Sequence, residues 1–215
     1  YGGGVFKFDG ENFKIFSKKN GLPVNRCRKL LGYKDKVFVG TELGVAIIDI
    51  HTNRLSVPKE ILPHFGVFMV SDFFVYNNEV YFSAINEGLF KITYKNNIPV
   101  IEPVFKFQFA YSLGFYNNTI FSGNKGFIDR LKIQDLISGK TASKSFGKSV
   151  VWDFAKDKNN TLYGAAWGIF DLSGGLYRIT DNEMTNISEQ YGIDSKSLLN
   201  VVYNAKKDIL YVGSK

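Results

Sequence analysis

Gly3-Gly4-Val5-Phe6-Lys7-Phe8 reappears as Gly174-Gly175-Leu176-Tyr177-Arg178-Ile179, at a constant offset of 171 residues. The match runs without a gap from Gly3 to Leu31 and from Gly174 to Val202, setting Gly21-Leu22 on Gly192-Ile193. Self-similarity of this kind marks a repeat architecture. Between the two copies the same unit recurs, tracked by the small residue that ends a short apolar run. That residue is Gly40 after Val37-Phe38-Val39, Ser83 after Val80-Tyr81-Phe82, and Ser122 after Ile120-Phe121. It is Gly164 after Leu162-Tyr163 and Gly213 after Leu210-Tyr211-Val212. The steps of 43, 39, 42 and 49 residues are the length of one propeller blade, about 40 to 50 residues.

Each unit reads as the same four strands. A first apolar run (Leu30-Leu31, Phe73-Phe74, Leu113-Gly114-Phe115, Trp152-Asp153-Phe154, Val201-Val202) leads into a polar turn and then the short second strand. The turns are Lys34-Asp35, Asn77-Asn78, Asn117-Asn118, Asn159-Asn160 and Lys206-Lys207; asparagine enters the positive-φ region at little cost, as tight hairpins demand. A glycine opens the third strand at Gly4, Gly44, Gly88, Gly126 and Gly175. Alternation of apolar residues with Lys or Arg after it fits a strand with one wetter face. A fourth, less regular strand follows, as in Phe13-Lys14-Ile15-Phe16. Four antiparallel strands repeated radially predict an all-β fold, a β-propeller of about five blades.

The expected organisation is a single propeller domain or propeller fragment over residues 1–215. Residues 1–16 supply strands three and four of a shared blade, 22–197 four blades, and 198–215 strands one and two of the shared blade. The two ends would then close a five-bladed ring, removing open sheet edges; the alternative is an arc of a larger propeller.

Composition agrees with this class and excludes others. The chain has 215 residues, 45% hydrophobic and 16% aromatic, with 20 Phe, 12 Tyr and only 5 Pro, a bias towards pleated, half-buried strands. Apolar runs such as Leu43 to Ile50 and Gly66 to Val75 fall far short of the roughly 20 residues a membrane-spanning helix needs, so no direct membrane insertion is expected. The net charge of +7 is spread singly, and the densest basic cluster is Arg26, Arg28 and Lys29, too sparse for a nucleic-acid stripe. Cys27 is the only cysteine, which excludes an internal disulfide and a cysteine-based zinc site. His51 and His64 read as surface residues, and neither a metal nor another cofactor is expected.

Gly21-Leu22-Pro23-Val24-Asn25, followed by Val37-Phe38-Val39-Gly40-Thr41-Glu42-Leu43-Gly44-Val45, resembles the two-component regulator propeller repeat. The stretch Gly2 to Gly10 is similar to that family's usual exit from a blade. The resemblance implies a periplasmic or otherwise extracytoplasmic sensor domain of a hybrid two-component system, reading out a glycan or other small polar ligand. Such repeats also occur in propellers of secretion complexes, so the alternative is a structural protein–protein interaction module docking a second propeller or a dimer mate. The residues carried over are scaffold: Gly21, Pro23, Asn25, Gly40, Thr41 and Gly44.

No catalytic constellation is found: no Gly-x-Ser-x-Gly elbow, no His-Glu-x-x-His and no P-loop. The chain is read as a non-enzyme. A glycan-cleaving propeller needs carboxylates converging on the channel, and only Asp72 and Asp153 stand near strand-one entries. For binding, counting two residues back from the anchors Leu31, Phe74, Leu113, Phe154 and Val202 gives Lys29, Asp72, Tyr111, Trp152 and Asn200. Aromatic platforms with a few polar groups suit sugars; the competing reading is that Tyr111 and Trp152 pack between blades. The loop Ala165 to Ser173 is longer than its equivalents, and its Trp167 and Phe170 are read as a further ligand platform or partner anchor, with self-packing of the loop as the alternative.

Overall fold

The computed structural model describes residues 2–58, 68–106, 111–124, 128–132, 135, 144–168, 173–180 and 183–215. Phe170 and His64 lie outside the described residues. The chain forms two compact units, 1–108 and 109–215. Each contains two four-stranded antiparallel blades and one two-stranded hairpin.

In the first unit β1 (Val5–Phe8) pairs with β2 (Phe13–Phe16). The first blade is β3 (Cys27–Tyr33), β4 (Lys36–Thr41), β5 (Gly44–Asp49) and β6 (Leu55–Ser56), paired in that order. The second is β7 (Val70–Tyr76), β8 (Glu79–Ala84), β9 (Gly88–Lys95) and β10 (Ile98–Phe105). In the second unit the blades are β11 (Ser112–Tyr116), β12 (Thr119–Gly123), β13 (Ile128–Lys132) and β14 (Lys144–Phe146), then β15 (Val150–Lys156), β16 (Leu162–Trp167), β17 (Gly175–Ile179) and β18 (Met184–Asn186). The hairpin β19 (Leu198–Asn204) with β20 (Ile209–Ser214) ends the chain. These are the strands that the repeat predicts, and the fold is an all-β propeller.

Local chemistry explains the elements. Asn77 and Asn78, and Asn117 and Asn118, all have positive φ and close two-residue hairpins, the turn whose twist matches the strands it joins. The fourth and fifth hairpins differ from the two-residue expectation. Asp157 Oδ1 accepts from the N–H groups of Asn159 and Thr161, and Asn204 Oδ1 from those of Lys206 and Lys207, so both turns are longer loops held by one side chain. At the other end, Gly4, Gly44, Gly88 and Gly175 open strand three with φ between 86° and 123°, a region that a β-carbon disfavours. On the outer strand β10, Pro99 and Pro103 withhold two N–H groups from an edge that would otherwise recruit a foreign strand.

The core lies between successive blades. Phe38, Val45, Val70, Phe73, Phe82 and Phe90 are buried together in the first unit, and Phe121, Val151, Leu162, Tyr177 and Ile179 in the second. Within each unit strand one of a blade packs on strand one of the next, β3 on β7, β11 on β15 and β15 on β19. A β-carbon on Gly123 would stand 2.2 Å from the Val151 carbonyl oxygen and 2.5 Å from Ser112 Oγ. The two hairpins are the wet ends: Phe6, Phe8, Phe13 and Ile15 are exposed on β1–β2, and Val202, Ile209 and Tyr211 on β19–β20.

Gly123→Ala should therefore destabilise the protein by about 1–3 kcal/mol, because a rigid backbone oxygen has to move. Gly32→Ala, at a site with open space and no positive φ, should stay within about 0.5 kcal/mol of the parent. Urea unfolding of both variants checks the pair.

Candidate functional site

Strand one decides where the candidate side chains point, and in four of the five units it carries a one-residue bulge. The extra residue is Arg28 between Cys27 and Lys29, Ser71 between Val70 and Asp72, Trp152 between Val151 and Asp153, and Leu199 between Leu198 and Asn200. In the third unit Tyr111 stands just before β11, its N–H donating to the Gly123 carbonyl at 2.9 Å. After the bulge, Lys29 faces Gly40, Asp72 faces Ser83, Ser112 faces Gly123, Asp153 faces Ala165 and Asn200 faces Gly213.

The counted set Lys29, Asp72, Tyr111, Trp152 and Asn200 thus spans two neighbouring rows. Lys29, Asp72 and Asn200 belong to the row after the bulge, whose other members are Ser112 and Asp153. Trp152 is a bulge residue, as are Arg28, Ser71 and Leu199, while Tyr111 stands one residue before Ser112 in the unit whose strand one carries no bulge among the described residues. The cause is physical: a bulge adds a residue without a partner and re-aims its side chain.

The row after the bulge ties blades together. Lys29 Nζ lies 3.1 Å from the carboxylate of Asp72 in the next blade, and Asp72 Oδ1 also accepts from the Phe73 N–H at 2.8 Å. Ser112 Oγ donates to the Val151 carbonyl of the next blade at 2.7 Å. Asp153 Oδ2 accepts the Val201 N–H of the following hairpin at 3.1 Å. Asp72 and Asp153 are buried and held in these bonds.

The bulged row carries the chemistry that differs between units. In the first unit it is polar: Arg28 is exposed, Ser71 Oγ lies 2.7 Å from Ser83 Oγ, and Arg26 pairs with Glu42 at 3.2 Å at the same end of the blade. In the second unit it is aromatic. Tyr111 stacks on Trp152 at 5.2 Å between centroids and 24° between planes, and Trp167 meets the same indole edge-on at 5.8 Å and 81°. All three rings are half-buried; Trp167, expected to be exposed, is packed on Trp152 and its backbone bridges to Ser197. The exit of the long loop is fixed by Ser149, whose hydroxyl donates to the Ser173 carbonyl while Tyr177 Oη donates to the same oxygen at 3.1 Å. Asn200 is exposed on the hairpin that follows.

Other candidates resolve as structural groups. His51 Nε2 lies 3.1 Å from Asp35 in an exposed turn. The half-buried Cys27 thiol is pushed up in pKa by desolvation, which leaves it less nucleophilic. Among the described residues no group of three metal-ligating side chains converges.

No protein-family model matches the sequence, and no curated protein matches it. Solved structures do. The extracellular domain of the hybrid two-component system protein BT3049 of B. thetaiotaomicron superposes with a TM-score of 0.74 over 98% of this chain at 16% identity. PorZ, a surface component of the type-IX secretion system of Porphyromonas gingivalis, gives 0.70 over 99% at 13% identity. The virginiamycin B lyase of Staphylococcus aureus gives 0.60 over 88% at 15%. The chain has the propeller fold. It spans 30% of the first of these chains, 35% of the second and 63% of the third.

Asp153→Ala should cost about 1–3 kcal/mol, since it leaves the buried Val201 N–H without its acceptor. Asn200→Ala, at an exposed site, should change stability by less than about 0.5 kcal/mol. Unfolding midpoints in urea distinguish the clip from the open position.

Proposed function

We propose that this chain is a non-catalytic, extracytoplasmic ligand-binding propeller of a two-component signalling protein, and that its ligand is an oligosaccharide. The observation that carries the reading is the half-buried trio Tyr111, Trp152 and Trp167, gathered at the strand-one end of the second unit. Aromatic faces take up the apolar faces of sugar rings, and neighbouring polar groups such as Asn200 meet the hydroxyls. A bulge beside a functional site is a common device for presenting one side chain out of a ladder, and Trp152 is such a residue. The likeness to BT3049, the extracellular domain of a hybrid two-component system, supports the signalling role. Commitment of Asp72 and Asp153 to blade clips supports binding over glycan cleavage, which needs two carboxylates presented to the substrate.

A second reading, a protein–protein module of a surface complex, draws on the likeness to PorZ and on the exposed Phe6, Phe8, Phe13 and Ile15 of β1–β2. A thermal-shift screen against oligosaccharides separates the two. A ligand at 100 times its dissociation constant adds about 2.7 kcal/mol of stability, and Trp167→Ala should weaken that ligand at least tenfold, about 1.4 kcal/mol, in a variant that still unfolds cooperatively. Trp152→Ala is less informative, because loss of a packed indole costs about 3–5 kcal/mol by itself. Absence of a shift with every sugar, or unchanged affinity in folded Trp167→Ala, refutes the sugar site and favours the interaction module.

A further inference from the structure

The first unit carries two surface grooves of about 620 and 420 Å³ that meet at Lys36 and Tyr94. Leu55, Val57, Ile98 and Pro99 give the larger one an apolar wall, and Arg54 stands at its side. Tyr94 is 45% exposed and Ile98 46%, an aromatic and an aliphatic face left open to solvent. The Lys36 ammonium is held 5.9 Å from the centre of the Tyr94 ring, and on the adjoining groove Lys34 Nζ lies 5.1 Å from that of Tyr33.

Around the two grooves the cations Lys34, Lys36 and Arg54 stand against the lining carboxylates Asp49 and Glu79, an excess of one positive charge among the described lining residues. Among the described residues, Lys34, Lys36 and Arg54 have no ion pair. The bordering carboxylates are already engaged: Asp35 with His51, and Asp49 with the backbone N–H groups of His51 and Thr52 and with the Thr52 hydroxyl. Glu79 accepts from Lys91 and from the Tyr81 hydroxyl. The groove therefore offers an exposed ring flanked by a guanidinium and an ammonium, a combination complementary to a flat apolar face that bears an anion.

We propose that this groove is a second binding site, for an acidic oligosaccharide, with a sugar ring against Tyr94 and its carboxylate or sulfate on Lys36 and Arg54. The site is built from residues of the first unit alone, shares none with the Tyr111, Trp152 and Trp167 trio, and does not depend on the sugar reading of that trio. A guanidinium pairs bidentately with a carboxylate or a sulfate, while the ring supplies the contact that distinguishes a sugar from any other anion.

Calorimetric titration of the intact chain at low salt tests this with four probes: trigalacturonate, a heparin-derived tetrasaccharide, neutral maltotriose and hexaglutamate. The expected result is binding of trigalacturonate or the heparin fragment at least tenfold tighter than of maltotriose or hexaglutamate; binding of trigalacturonate shows that a carboxylate suffices, and binding of the heparin fragment without trigalacturonate assigns the anion to sulfate. Lys36→Gln with Arg54→Gln, and separately Tyr94→Ala, should each lower that affinity at least tenfold, whereas Tyr191→Ala, at an exposed ring outside both sites, should leave it unchanged. Failure of both acidic sugars to bind overturns the proposal. So does affinity indifferent to the Lys36 and Arg54 changes, and so does hexaglutamate binding as well as the sugars or indifference to Tyr94→Ala, which would mean simple charge attraction.

Discussion

Two seams, one in each unit, depend on the same close approach, that of strand one of a blade on a small residue at the end of strand two of the blade before it. Gly40 admits Val70, with a β-carbon there only 2.7 Å from its Cγ1, and Gly123 admits the Val151 carbonyl oxygen. Because the interior of a propeller is the contact between adjacent sheets, each blade is anchored by the space its neighbour leaves. The side chains just after the bulge reinforce the same seam with directed bonds, Lys29 to Asp72, Ser112 to the Val151 carbonyl and Asp153 to the Val201 N–H.

That seam explains how the repeat could be read from sequence. Small residues at fixed spacing, a glycine opening strand three and asparagine pairs at the hairpins are each required by local backbone geometry, so they leave a trace in every copy. What the sequence hides is the bulge. It inserts one residue into strand one without disturbing the apolar anchors two residues further on, so counting from Leu31, Phe74 and Val202 lands on clip positions. Near Leu113 and Phe154 the same count lands one row earlier, on Tyr111 and Trp152. The Lys29–Asp72 pair, 43 residues apart, leaves no sequence signal because neither residue type is restricted locally. The Trp152 and Trp167 contact is hidden for the same reason, although the length of the 165–173 loop did draw attention to one of its partners.

The division of labour between rows gives the scaffold room for function. Residues after the bulge are spent on holding blades together, and residues in the bulge are released from the ladder to face outward. Their identities are then open to change without loss of the fold, which accounts for Arg28 and Ser71 in one unit and Trp152 in the other. A propeller repeated in this way can change the side chain at one position per blade without altering its scaffold, and Trp152 is the aromatic residue at one of them.

Hydroxyl-radical footprinting, read by mass spectrometry in the presence and absence of the oligosaccharide that most raises the unfolding midpoint, tests the central claim most directly. The account predicts that ligand protects Tyr111, Trp152 and Trp167 from oxidation while exposed aromatics such as Phe13 and Tyr191 react as before. Unchanged oxidation of the three rings at saturating ligand would contradict it.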